Sequence, residues 1–419
     1  MSKIYIADKP TLDAVKANTD KILDIVSADG VYGFIEHCGV LSPTQRIEYI
    51  GMNKDYTPLT LDADGSATYG SWGQFPTIVG NKPWMVRADG TPDYRLSETD
   101  YTKREDGVTA SDVANTSYNG GAFAWLPKIY KFEQMLGNDR HVLFSTVPRE
   151  GFEAVGFIDD SNNELEGVWI PMFYGSIDSN SKMRSLSGTQ PSASTTTTSE
   201  KSAIDNFSAR ARFFGGAIVK TITDLLLMFT KNCDLQAALG YGNMSGYNAS
   251  DTYKGVKANA VVQGGQFYGN FTGTSLNKIF HSVVLGTYQQ YQRDPYTLLV
   301  DGVQKVSKNY AYDLTGASYA VTGIKFDSNS SGWEYPNVFR TIPGFGSEGA
   351  RPCLGTDHTG GCDGLYVNAS GVRVGLRFGV CDNGRSDGLR CLTLDTVAST
   401  AYWNIGASVL LLPPVGVAA

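Results

Sequence analysis

Dipeptides that place glycine after a short acidic or amide residue punctuate this chain along much of its length. They include Asp64-Gly65, Asp89-Gly90, Asp106-Gly107, Asp301-Gly302, Asp363-Gly364, Asn383-Gly384 and Asp387-Gly388. Each supplies the positive-φ positions of a tight turn, because glycine lacks a Cβ and Asp or Asn tolerates the left-handed region. Between the turns lie short alternating runs such as Arg46 to Ile50. Longer apolar runs, Ala122 to Leu126, His141 to Phe144 and Val168 to Tyr174, read as central strands. The chain is therefore expected to consist mainly of short strands and hairpins. Its 47 glycines in 419 residues follow no three-residue period and come with only 16 prolines, which excludes a collagen-like chain. With 42% hydrophobic and 11% aromatic residues, it can bury enough surface to exclude disorder.

Three stretches carry helical periodicity instead. Leu12, Val15, Thr19, Ile22 and Val26 are spaced as a heptad seam, with Pro10 and Thr11 as a plausible start. So short a helix is marginal alone. The seam either packs on the chain's own body or joins copies in a bundle, and the bundle is the expectation. Ala203 to Phe214 is a modest helix. Ala217 to Cys233 is a stronger one, with Ile218, Ile222, Leu225, Leu226 and Phe229 on one face and a stop near Gly240. The Ser/Thr-rich run from Ser187 to Ser202 reads as a solvated loop. Lys278 to Tyr291 and Tyr296 to Val303 read as strands, and Trp403 to Leu412 as a final buried strand stopped by Pro413. The expected organisation is α+β: an N-terminal helix in 1–30, a β-rich connecting domain in 31–117, and a larger mixed domain in 118–419 with two helices and an antiparallel sheet. Trp72 and Trp84 would seed the connecting domain's core or its contact with a neighbour.

Charge and motif content narrow the function. The net charge is −7, and no Lys/Arg stripe is available to neutralise phosphates, so nucleic acid is not an expected partner. No apolar run reaches the roughly 18 residues of a membrane span, so no membrane insertion is expected. The opening residues show no signal-peptide pattern. Cys353 with Cys362 and Cys381 with Cys391 are spaced to bridge loops; reduced thiols, or zinc with His358, are the alternatives. His37, His141, His281 and His358 form no metal or catalytic motif, and His281 in its apolar context reads as a core histidine. Glu164 with Glu166, or Asp382 with Asp387, are the carboxylate pairs that glycoside hydrolysis would need. Solvated turn residues explain them as well. Calcium would need clustered oxygens, for which Asp382, Asn383 and Asp387 are generic. No cofactor and no metal is expected, and the chain is not expected to be an enzyme.

The order of strands, then two helices, then loop-rich hairpins closing on a terminal strand resembles C-type-lectin-like proteins of phages. The segment from Asp224 to Gly242 is similar to that family's second helix and its exit. Arg377 to Gly384 and Trp403 to Leu410 are similar to its last hairpin and final strand. This group includes tropism determinants and the variable proteins of diversity-generating retroelements. The opening Ile4 to Asp13 resembles the start of tail proteins from phages of gut bacteria. The resemblance covers about Tyr118 to Val415. It implies a C-type-lectin-like domain in a virion protein made in the bacterial cytoplasm. Such a protein would be a homotrimer held to other virion proteins by its N-terminus, and would attach the tail tip or fibre to a host surface glycan or protein. A head fibre or capsid decoration protein, or a glycan-degrading tail enzyme, are the alternatives. Loops rich in Tyr, Asn and Asp on a rigid sheet suit recognition. The candidate binding residues are therefore Asp357, His358, Tyr366, Asn368, Asp382, Asn383, Arg385, Asp387 and Tyr402.

Overall fold

The turn chemistry and the strand runs meet in three main sheets. They belong to a computed structural model that describes residues 16, 19–22, 24–62, 67–260, 280–327 and 332–419. Strands make up about 32% and helices about 13%, so the fold is mixed and strand-rich. Leu12, Val15, the Ile4 to Asp13 segment and the Asp64-Gly65 turn lie outside the described residues, as do the first residues of the expected strand from Lys278.

The first sheet is antiparallel, with Val31–His37 between Ile47–Gly51 and Asp139–Ser145, and Tyr130–Leu136 on the far side of the latter. The second has six strands. Gly167–Pro171 and Gly120–Pro127 lie at its centre, Val409–Leu411 and Ala211–Phe213 on one side, Pro83–Arg87 and Pro92–Arg95 on the other. The third runs Ala320–Lys325, Val303–Val306, Tyr291–Val300, Val372–Phe378, Gly388–Thr396 and Leu365–Val367, with Ile405–Gly406 beside the start of Tyr291–Val300. Two of its pairings, Leu365–Val367 with Gly388–Thr396 and Ile405–Gly406 with Tyr291–Val300, are parallel. It is therefore mixed rather than purely antiparallel.

Strands from either side of residue 118 pair directly: Val31–His37 with Asp139–Ser145, and Pro83–Arg87 with Gly120–Pro127. One apolar core includes residues from Ile22 to Leu412. Trp72, fully buried, meets the Phe229 ring at 5.1 Å, and Trp84 meets Trp169 at 6.1 Å, so both serve contacts outside 31–117.

At the N-terminus, residues 19–22 and 24–26 are helical. Ile22 is buried in the chain's own core, with Ile25 and Val26 packed against it, while Thr19 is exposed. These two seam positions, Ile22 and Val26, pack on the chain's own body. An amphipathic stripe so short is stabilised by the nearest apolar surface, and the chain's own sheets provide it.

The first of the two expected helices is Thr197–Phe207, earlier than the expected 203–214. The Ser/Thr run does not form a solvated loop throughout. Thr196 caps the helix by accepting the Ser199 N–H at 3.1 Å, and Thr197 and Glu200 are fully buried. The second, Ala217–Thr230, is buried along its whole length, as expected of a helix apolar on most faces. It stops at Lys231, which takes a left-handed φ of +51°, so Cys233 lies beyond it. The stop at Gly240 belongs to a separate short helix, Leu235–Leu239, capped by Asp234. Residues 280–290 are not a strand; Tyr291–Val300 begins after them, and Asp301-Gly302 turns it into Val303–Val306 with φ of +46° and +78°. The last glycine dipeptides do not mark three hairpins. Asn383-Gly384 sits in the single loop between Val372–Phe378 and Gly388–Thr396, while Asp363-Gly364 leads into the parallel strand.

Charges are buried along with the apolar groups. Glu36 holds Arg46 at 2.8 Å, Arg140 at 2.9 Å and Arg390 at 2.7 Å. Burial alone would raise its pKa, but Arg390, Arg140 and Arg46 hold it well below the usual carboxylate range. Arg140 also reaches Asp224 on the buried helix at 2.7 Å. Arg377 binds Asp294 at 2.8 Å and Glu348 at 2.6 Å. All six cysteines are free thiols, the reduced alternative among those left open by their spacing. Cys362 and Cys391 are buried in separate surroundings, and Cys233 donates instead to the Gly360 carbonyl at 2.8 Å. No helix among the described residues is long and apolar enough to cross a membrane.

Candidate functional site

The third sheet ends in loops that enclose a cleft of about 310 Å³. Four segments build it. Trp333 arrives on a stretch pinned to the sheet, where Glu334 and Leu365 exchange backbone hydrogen bonds of 2.9 and 2.7 Å. Arg351 holds the Glu334 carboxylate at 2.7 Å, and the Tyr335 and Ser386 hydroxyls meet at 2.8 Å. The Trp333 ring lies flat enough on Gly364 that any Cβ there would collide with it. Tyr366 then stands edge-on to Trp333, with ring centroids 5.5 Å apart.

Asp382 and Asn383 come from the loop after Val372–Phe378. That loop is fixed from inside by Asp387, whose carboxylate accepts the Val380 N–H at 3.0 Å. Asn383 donates to the Tyr291 hydroxyl at the head of Tyr291–Val300. Tyr402 comes from the last loop, where its carbonyl accepts the Ser194 N–H at 2.9 Å, and Asn404 follows, accepting the Tyr291 N–H at 3.0 Å. Asp395 projects from Gly388–Thr396 to complete the lining. Tyr402 is 62% exposed, and Tyr247, 46% exposed, tilts against Trp403 at 5.5 Å beside it.

The electrostatics are one-sided. Burial raises the pKa of Asp382 and of Asp395, the latter partly offset by hydrogen bonds from its own backbone and from Thr393, and by Arg373. Asp382 makes no ion pair among the described residues. The Asn404 side-chain oxygen is buried without a donor. The cleft thus offers aromatic faces and acceptor oxygens, and its described lining holds no Lys, Arg or His. The chain matches no protein-family model and no curated protein.

Of the nine candidate residues, the structure brings four together here: Tyr366, Asp382, Asn383 and Tyr402. The other five lie elsewhere. Asp357 and His358 pair with each other at 3.5 Å on a separate loop. Asn368 is exposed but spends its side-chain oxygen on the Ser370 N–H at 3.2 Å, as a turn residue does. Arg385 is tied to Asp234 at 2.7 Å and lies over the Tyr241 ring at 4.6 Å. Asp387 is fully buried, and burial pushes its pKa well above the usual value, so it positions the loop and is not part of a receptor face.

Sequence reasoning missed Trp333, Tyr291, Asp395 and Asn404. A lone tryptophan after a Ser/Gly-rich stretch was the one available signal, since such a residue has little reason to sit in a polar loop unless it covers something. The other carboxylate pair does not form a site. Glu164 and Glu166 share Lys128 at 2.7 and 3.3 Å, as surface residues do. His281 is a core histidine, bonded to the Tyr101 hydroxyl at 2.7 Å. Among the described residues no group of three or more His, Cys, Asp or Glu side chains is placed to hold a metal ion.

Proposed function

We propose that the protein is a phage virion component of the tail tip or fibre that attaches to the host surface through a C-type-lectin-like unit in 118–419. The observation that supports this reading is the open cleft of Trp333, Tyr366 and Tyr402 with Asp382, Asn383 and Asn404 on its walls. Flat aromatic faces pack on the apolar side of a sugar ring, and carboxylate and amide oxygens accept its hydroxyls. In this reading the N-terminal segment joins other virion proteins and the copies form a trimer.

The test is retention of the labelled full-length chain on a panel of gut-bacterial strains and on their purified surface polysaccharides. Trp333→Ala and Tyr402→Ala are expected to reduce retention at least about tenfold, the equivalent of ~1.4 kcal/mol. Tyr402 is exposed, so that variant tests binding without disturbing the fold. Unchanged retention by both would overturn the reading. One observation favours a second reading as a glycan-degrading enzyme: two carboxyls with raised pKa, Asp382 and Asp395, line the same cleft. Release of new reducing ends from those polysaccharides, lost in Asp382→Asn or Asp395→Asn, would favour it over simple attachment.

A further inference from the structure

We infer that the cleft recognises a saccharide bearing a free, positively charged amine, and that the ammonium group is what the two carboxylates and the Trp333–Tyr366 pair are arranged to receive. The inference rests on the cleft being the host-binding site and adds the chemical class of its ligand.

Three observations converge. The first is charge. Asp382 and Asp395 both face the cleft, and its described lining holds no Lys, Arg or His. Arg373, whose charge acts on Asp395, donates to the Asp395 backbone carbonyl at 3.0 Å and the Ser370 carbonyl at 2.7 Å. Two carboxylates with no basic side chain in the described lining favour a cationic group over a neutral one, and an anionic sugar adds repulsion. A cation beside them would stabilise the charged form that partial burial disfavours in both groups.

The second is aromatic geometry. Trp333 and Tyr366 stand edge to face at 5.5 Å and both line the cleft, and Tyr402, also in the lining, is open to solvent. A cation over such a face gains about 0.5–2 kcal/mol, the more so as water is excluded. The third is the buried Asn404 oxygen without a donor. An ammonium carries three N–H donors and no acceptor, which matches a lining whose side chains include two carboxyls and the Asn404 amide oxygen.

The experiment measures retention of the full-length chain on the polysaccharide of a binding strain before and after its amines are capped with acetic anhydride. A glucosamine tetramer and its N-acetylated counterpart serve as competitors. Capping is expected to lower retention at least about tenfold. The free-amine tetramer should compete while the acetylated one does not, and Asp382→Asn should erase that difference. Retention that survives capping, or equal competition by the two tetramers, overturns the inference. If Tyr402→Ala still abolishes that retention, the attachment reading stands and only the amine is wrong. If Tyr402→Ala and Trp333→Ala leave retention intact, the attachment reading fails as well.

Discussion

A carboxyl group inside a protein is stable there only if something makes up for the water it lost, and Asp363 shows what happens when the compensation is partial. It is fully buried, and its one close donor is the Arg390 N–H at 2.7 Å. Burial, with Asp234 nearby, pushes its pKa up to about 8. In the folded chain it stays protonated to that value, whereas in the unfolded chain it ionises near ~3.9. Its contribution to stability is therefore complete below about pH 4 and is lost as the pH rises toward 8. Asp363→Asn cannot ionise, so its advantage over the native chain should widen by about 1–3 kcal/mol between pH 4 and pH 8. Urea unfolding at the two pH values measures this, and a constant gap would contradict it. The same residue scale explains a misreading. An Asp before Gly carries one signal whether it faces solvent or core. What turned Asp387 inward is Gly379, six residues of loop away from Arg385, where any Cβ would collide with the Asp387 carboxyl. That is a tertiary fact with no local signature.

Elements were legible where one physical cause dominated. Ala217–Thr230 announced itself by its apolar periodicity, and Asp301-Gly302 by its turn chemistry. Thr197–Phe207 was placed too late because a Ser/Thr run has the composition of a loop. Its polar atoms instead perform the work of a helix start. Thr196 caps the chain end, and the Thr195 hydroxyl donates to Glu200 at 2.9 Å while Glu200 pairs with Arg293 at 2.5 Å. Thr196→Ala is expected to lower the unfolding free energy by about 1 kcal/mol, the usual worth of such a cap, with Thr196→Ser restoring it. Thermal or chemical denaturation of both variants checks the claim, and equal loss in both would point to packing rather than capping. The cleft was half legible for a related reason. The aromatic and amide residues near Asn383 stand out in sequence, but Trp333 and Asp395 join them only through the Glu334–Leu365 bridge and the sheet register.

At the scale of the whole molecule, the sheets interleave segments that are far apart in sequence. Val409–Leu411 lies between Ala211–Phe213 and Gly167–Pro171, with Leu411 opposite Trp169. Removing residues 1–117 would take two strands from each of the first two sheets and would strip Glu36 from Arg140 and Arg390. Losing one partner of a buried ionic cluster costs about 3–5 kcal/mol, a large part of a typical domain's stability. The 118–419 fragment alone is therefore expected to lack a cooperative unfolding transition. Near-ultraviolet circular dichroism matching the full chain would refute that. None of this was visible in the sequence, where the change of pattern near residue 118 looked like a boundary. Pattern reports which residues are strands but not which strand each one pairs with. The cleft stands apart from this interdependence. Tyr402, Asp382 and Asn383 sit on loop tips, outside the main core and its ion pairs. Mutations there escape the penalty that falls on changes to the scaffold, so over generations the cleft's loop tips can drift in sequence while the fold is conserved.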